Sequence, residues 1–134
     1  MLTGGCQCGG VRYRVDAEPA QIYCCHCTEC RAQSASAFGI SVIVPPEAVS
    51  LTQGSVRTWT RATESGQRLD CAFCPDCGTR VWHVNDPRGA TLSIKGGSLD
   101  DPVDLTKADH IWLAEKLPGV LIPDHVRTWQ GEPD

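Results

Sequence analysis

The 134-residue sequence has little of what marks a nucleic-acid or membrane protein. Twelve Lys and Arg against 16 Asp and Glu leave a formal charge of −4, so the basic footprint of a nucleic-acid or anionic-membrane binder is missing. No apolar run approaches the roughly 20 residues that span a bilayer. Aromatic residues make up 6% of the chain, and no segment sustains a helical period, which argues against a helical bundle. The opening residues 1–6 carry neither a basic start nor an apolar stretch, which predicts a cytoplasmic protein in a reducing compartment. The length suits one domain over residues 1–134 with a single core.

Cysteine is absent from residues 78–134 and crowded before them. Nine cysteines fall into three groups: Cys6 and Cys8; Cys24, Cys25, Cys27 and Cys30; Cys71, Cys74 and Cys77. An odd number cannot be consumed by pairing, and in a reducing compartment such clustering reads as metal ligation or thiol chemistry. In Cys74-Pro75-Asp76-Cys77-Gly78, two thiolates on a tight turn grip one ion from the same side. Pro75 presets the turn, and Gly78 lets the backbone fold back towards the sulfurs. Such a knuckle supplies two ligands, and the glycine-flanked Cys6 and Cys8 are the natural second pair, giving a closed structural zinc. A redox pair at Cys74 and Cys77 is the competing reading.

Cys25, Cys27 and Cys30 behave differently. Three ligands in one short loop leave a fourth position open, the property that separates a catalytic zinc from a structural one. His26, wedged between two of them, is expected to be a neighbour rather than a ligand. The alternative is a second structural knuckle completed by Cys24 or Cys71, which otherwise read as small buried hydrophobes.

Residues 11–15 alternate cleanly, with Val11, Tyr13 and Val15 on one face and two arginines on the other. Further strands are expected at 21–24, 38–44, 56–60, 69–73, 79–84 and 90–94, with helical turns at 28–33 and 46–49. Trp59, Trp82 and Trp112 read as core, and residues 129–134 as a loose tail. The sum is a mainly β domain of short antiparallel strands with few short helical turns.

The ordered set Gly5-Cys6-x-Cys8-Gly9, Val11-Arg12-Tyr13, Cys25-His26-Cys27-x-x-Cys30-Arg31, Phe73-Cys74-x-x-Cys77-Gly78-Thr79 and His110-Ile111-Trp112 followed by Lys116 closely resembles the glutathione-dependent formaldehyde-activating enzyme family, also called the centromere protein V-like family. The likeness covers about residues 3–120, leaving 121–134 as an extension. It implies a zinc-bound β-tent, with Cys6, Cys8, Cys74 and Cys77 on a structural zinc and Cys25, Cys27 and Cys30 on an active-site zinc. It also implies two zinc ions per chain and a carbon–sulfur lyase type of activity, in which glutathione and formaldehyde combine as S-hydroxymethylglutathione. His110 and Lys116 lie near the site in the family and are expected to serve proton transfer or carboxylate contact. After Lys116 the chain runs Leu117-Pro118-Gly119-Val120, where the family usually places an aromatic residue.

Three thiolates on a divalent ion leave a net charge of −1, which blunts the acidity of bound water and disfavours hydrolysis. Sulfur ligands suit exchange with another sulfur, so the expected substrate is a thiol or its aldehyde adduct, and Arg31 is a candidate partner for its negative charge. A zinc-stabilised binding module without catalysis and a thiol-redox sensor are the alternatives. No nucleic-acid or membrane partner is expected, and exposed sheet edges leave room for a homodimer.

Overall fold

The computed structural model describes residues 1–63, 66–86 and 91–134. Among the described residues ten strands form two sheets. β1 (Leu2–Gly5), β2 (Arg12–Val15) and β5 (Val49–Gln53) make the smaller one, in the order β1-β2-β5. The larger takes β3 (Gln21–Cys25), β4 (Gly39–Val44), β6 (Arg57–Ala62), β7 (Arg68–Phe73), β8 (Arg80–Asp86), β9 (Leu92–Lys95) and β10 (Asp109–Ile111), in the order β10-β3-β4-β9-β8-β7-β6. Every pairing is antiparallel except β10 on β3. The expected mainly β architecture is thus present. Among the described residues the one α-helix is α1 (Thr28–Ser34), and residues 46–48 form a 3-10 turn.

The alternation in residues 11–15 decides how the sheets meet. Val11, Tyr13 and Val15 are all buried, whereas Arg14 is exposed. Tyr13 and Val15 of the small sheet pack with Val42 and Val44 of β4, Ala72 of β7, Val81 of β8, and Leu92 and Ile94 of β9. Burying β-branched side chains from both inner faces supplies the main driving force, roughly 25 cal/mol for each Å² of apolar surface removed from water. Tyr13 keeps its hydroxyl partnered with Ser98 Oγ at 2.6 Å, and its ring meets Trp82 edge-on at 5.6 Å.

Three strands lie where no strand was expected: β1, β5 and β10. Residue 90 of the expected 90–94 strand lies outside the described residues, and that strand is observed at Leu92–Lys95. Trp59 is not core. It stands on β6, the outermost strand of the large sheet, and is 51% exposed. Trp112 is half-buried in a left-handed conformation (φ 60°), and its indole N–H donates to Glu132 at 2.7 Å. The terminal residues are also pinned rather than loose. Trp112, Leu113 and Ala114 donate backbone bonds to Gly131, Trp129 and Gln130, and Trp129 donates to His110.

Candidate metal centres and the cleft beside them

Two turns bring four thiols together. Cys6 and Cys8 lie on the turn leaving β1, and Cys74 and Cys77 lie between β7 and β8. Each turn closes on itself, Cys6 N donating to Val11 O at 3.1 Å and Cys74 N to Thr79 O at 3.0 Å. Gly78 takes φ +81°, the left-handed value that glycine adopts without strain, and its amide reaches Cys74 O at 2.9 Å. Backbone amides then face sulfur: Val11 N is 3.1 Å from Cys6 Sγ, and Asp76 N is 3.4 Å from Cys74 Sγ. Gln7 N donates to Thr79 Oγ1 at 3.1 Å, tying one turn to the other. Thr79 also holds the Cys77 thiol low, at about 5.

The four sulfurs lie within 4.8 Å of one another. A tetrahedral zinc about 2.3 Å from each would need sulfurs about 3.8 Å apart. Cys6 and Cys8 are 3.5 Å apart and Cys8 and Cys74 are 3.8 Å apart, so the donor set fits such an ion as it stands.

The second cluster is built from the end of β3 and the start of α1. Cys27 caps the helix, its sulfur accepting from Cys30 N at 3.3 Å, and Ala35 ends it in the left-handed region (φ 51°). One helical turn therefore returns Cys30 to Cys27, and Cys25, two residues before Cys27, completes a trio within 4.8 Å. Hydrogen bonds from Cys25 and then Cys30 pull the Cys27 thiol well below its ordinary range, while the same network and burial push Cys25 up. No fourth Cys, His, Asp or Glu among the described residues joins this trio. Neither Cys24 nor Cys71 joins either cluster. Cys24 is fully buried and its thiol is raised to about 11 by burial, and Cys71 is 3% exposed.

His26 is a neighbour, as expected, and its partner is His110. The parallel pairing sets His110 opposite Cys24 and Ile111 opposite Cys25, with His26 N donating to Ile111 O at 3.0 Å. His26 Nε2 then lies 2.8 Å from His110 Nδ1, with the rings stacked at 5.1 Å. Burial holds His26 uncharged down to about 4. His26 Nδ1 has no partner. Lys116 turns its ammonium onto its own chain, donating to Val120 O at 2.8 Å and Leu117 O at 3.2 Å.

The cations beside the trio are ones the sequence did not single out. A cavity of about 240 Å³ is lined by Glu29, Cys30, Trp59, Arg61, Arg80, His83 and Lys95, with Cys71 in its wall. Arg31 does not line it, and its Nε is buried without a partner. Lys95 ends β9, a strand buried along its whole length between β4 and β8, and its ammonium lies 2.7 Å from His83 Nδ1. Burial lowers Lys95, and the neighbouring thiols of Cys30 and Cys71 oppose that shift.

Comparison with known proteins places the chain in a family. The family model described as glutathione-dependent formaldehyde-activating enzyme matches residues 1–115. A Halomonas elongata protein, whose name provisionally assigns it glutathione-dependent formaldehyde activation, is 31% identical over 147 aligned residues, covering 100% of this chain and 90% of that protein. In fold alone, a crystal structure of a Rhodobacter sphaeroides protein superposes with a TM-score of 0.59 at 18% identity, covering 95% of this chain and 98% of that one. With a family match that spans both cysteine clusters and a relative aligned along the whole of this chain, the chain belongs to the glutathione-dependent formaldehyde-activating enzyme family.

Proposed function

We propose that the chain is a zinc-dependent carbon–sulfur lyase-type enzyme acting on a thiol–aldehyde adduct such as S-hydroxymethylglutathione. In this reading Cys6, Cys8, Cys74 and Cys77 hold a structural zinc, and Cys25, Cys27 and Cys30 hold a second, catalytic one. The observation that carries it is the difference between the clusters: four sulfurs converge at one, whereas three converge at the other beside a cavity that includes Cys30. Four sulfurs close a tetrahedral ion and three leave one position for a ligand from outside. Zinc at the trio would supply Lewis-acid stabilisation of an incoming or departing sulfur.

The chain's own groups do the rest. The Cys27 cap and the first turn of α1 hold the three sulfurs in place before any substrate arrives. When the adduct divides, the carbon–sulfur bond breaks, its electron pair stays on sulfur, and the O–H pair becomes the second C–O bond of the aldehyde. The proton leaves to water. His26 and His110, buried behind the loop, fix its position rather than reach the cavity.

Elemental analysis of wild type and Cys27→Ser, purified under reducing conditions with zinc supplied, tests the reading. Two zinc ions per chain falling to one, with loss of adduct turnover in the variant, support it. One zinc in both proteins overturns it, as does four-sulfur coordination at both ions by X-ray absorption, which favours a binding module.

A further inference from the structure

The cavity beside Cys30 holds an ammonium that no carboxylate among the described residues pairs with. Lys95 is 8% exposed, lines the cavity, and among the described residues forms no ion pair. His83 Nδ1 is its one hydrogen-bond partner there, so two of its three N–H donors remain for a ligand. A buried cation with one neutral partner is costly unless an anion completes its shell.

Arg61 and Arg80 join the same wall, against the single carboxylate of Glu29. Glu29 is 4.0 Å from Arg61 and 60% exposed, a loose pairing that leaves Lys95, Arg61 and Arg80 in excess over the one carboxylate among the described lining residues. Trp59 shapes this wall. The Arg80 guanidinium lies over its ring at 5.5 Å, which holds that planar fork on the cavity side and explains a large aromatic left half in solvent.

The cavity continues. Gln33, Arg80 and Lys95 also line a second hollow of about 350 Å³, whose walls include Ser34, Ser36, Thr79 and Ser98, the glycines Gly96 and Gly97, and the apolar Phe38 and Ile40. One lobe is cationic and has Cys30 of the thiol trio in its wall, and the other adds hydrogen-bonding groups and no further charged residue. Lys95 and Arg80 stand at the waist between them.

We propose that this two-lobed cleft is a carboxylate-recognition site for small peptide thiols, in which Lys95 and Arg80 bind a carboxylate while the second lobe takes the peptide amides. It rests on the proposed thiol-adduct chemistry only in where the sulfur goes, beside Cys30. Guanidinium and ammonium donors match a carboxylate in charge and geometry, and the partly desolvated wall strengthens the contact. The cleft thereby selects among thiols by their carboxylates, which the metal cannot do.

Calorimetric titration with S-methylglutathione, whose blocked sulfur offers no thiolate, isolates the cleft from the chemistry. Wild type and Cys27→Ser are expected to bind it with similar affinity. Its diethyl ester, without carboxylate charge, is expected to bind at least about tenfold more weakly to both. Arg80→Gln, on the cavity rim, and Lys95→Met should each erase most of the preference for acid over ester. Equal affinities for acid and ester in wild type, an undiminished preference in Arg80→Gln, or no binding at all overturns the proposal, whether or not Lys95→Met folds. Acid-selective binding without adduct turnover would leave the cleft standing and sink the lyase reading instead.

Discussion

His26 Nε2 and His110 Nδ1 lie 2.8 Å apart although 84 residues separate them in the chain. Their contact joins the thiol loop to the parallel edge strand, and it follows from register: His110 pairs with Cys24, two residues before His26. One nitrogen of the pair must carry a proton and the other must accept it, so the two rings fix each other's tautomers.

His110→Leu should therefore loosen the loop rather than remove a ligand. It strands a second nitrogen on His26, whose Nδ1 already has no partner, at a cost of about 1–3 kcal/mol. Denaturant titration should show that loss, and chelator competition should show faster metal release from the trio with unchanged release from the four-thiol site. His110→Gln, which keeps a polar atom, should recover part of the loss. Equal acceleration at both sites would contradict a local role.

The two clusters should respond differently to loss of a sulfur. Cys74 is 1% exposed and belongs to the turn that joins β7 to β8 against β1 and β2, so Cys74→Ser removes one donor of the proposed structural zinc between the sheets. Its expected cost is on the order of 5–10 kcal/mol, enough to unfold the domain. Cys27→Ser keeps a side-chain acceptor at the helix cap beside a cleft and should cost about 2 kcal/mol or less. Thermal melts of the zinc-loaded proteins distinguish these. Equal losses would mean that the trio is also a structural clasp.

Both thiol clusters were legible because their cysteines are local: pairs or a trio within six residues, on turns marked by Gly, Pro or a helix cap. The β2 alternation was legible for the same reason. β10 was not, since Asp109-His110-Ile111 reads as a polar segment and becomes a strand only through its parallel partner, with Arg127 and Gln21 satisfying the buried Asp109. Lys95 was missed because its burial comes from β9 lying mid-sheet, a fact of strand order rather than of local pattern. Trp59 was misjudged in the opposite sense: its strand is the sheet's edge.

Asp109 makes the terminal segment sensitive to acid. Burial pushes its carboxyl up, but hydrogen bonds and charge from Arg127, 2.7 Å away, outweigh that and hold it below the usual carboxylate range. A carboxylate depressed in the folded state stabilises above its unfolded value near 3.8 and loses that contribution as pH falls through its folded value. Arg127→Ala should cost about 1–3 kcal/mol at neutral pH, towards the lower end because Arg127 is 67% exposed and screened. Below pH about 4 the difference from wild type should shrink. A stability difference independent of pH would assign the loss to packing instead.

Gly54 follows β5 at φ +75°, and a Cβ there would lie 2.2 Å from the carbonyl oxygen of Gly10, in the turn that carries Cys6 and Cys8. That neighbour is backbone and cannot rotate away, so the turn itself must move. Gly54→Ala should cost about 2–4 kcal/mol, combining left-handed strain with the displaced turn. Because the displaced turn holds half of the four-thiol set, zinc release there should quicken while the trio keeps its metal. Gly131→Ala, whose added methyl meets nothing within 4 Å, is the matched control and should melt like wild type. If Gly54→Ala loses stability yet leaves metal release from the four-thiol site unchanged, the turn and the metal are not mechanically coupled.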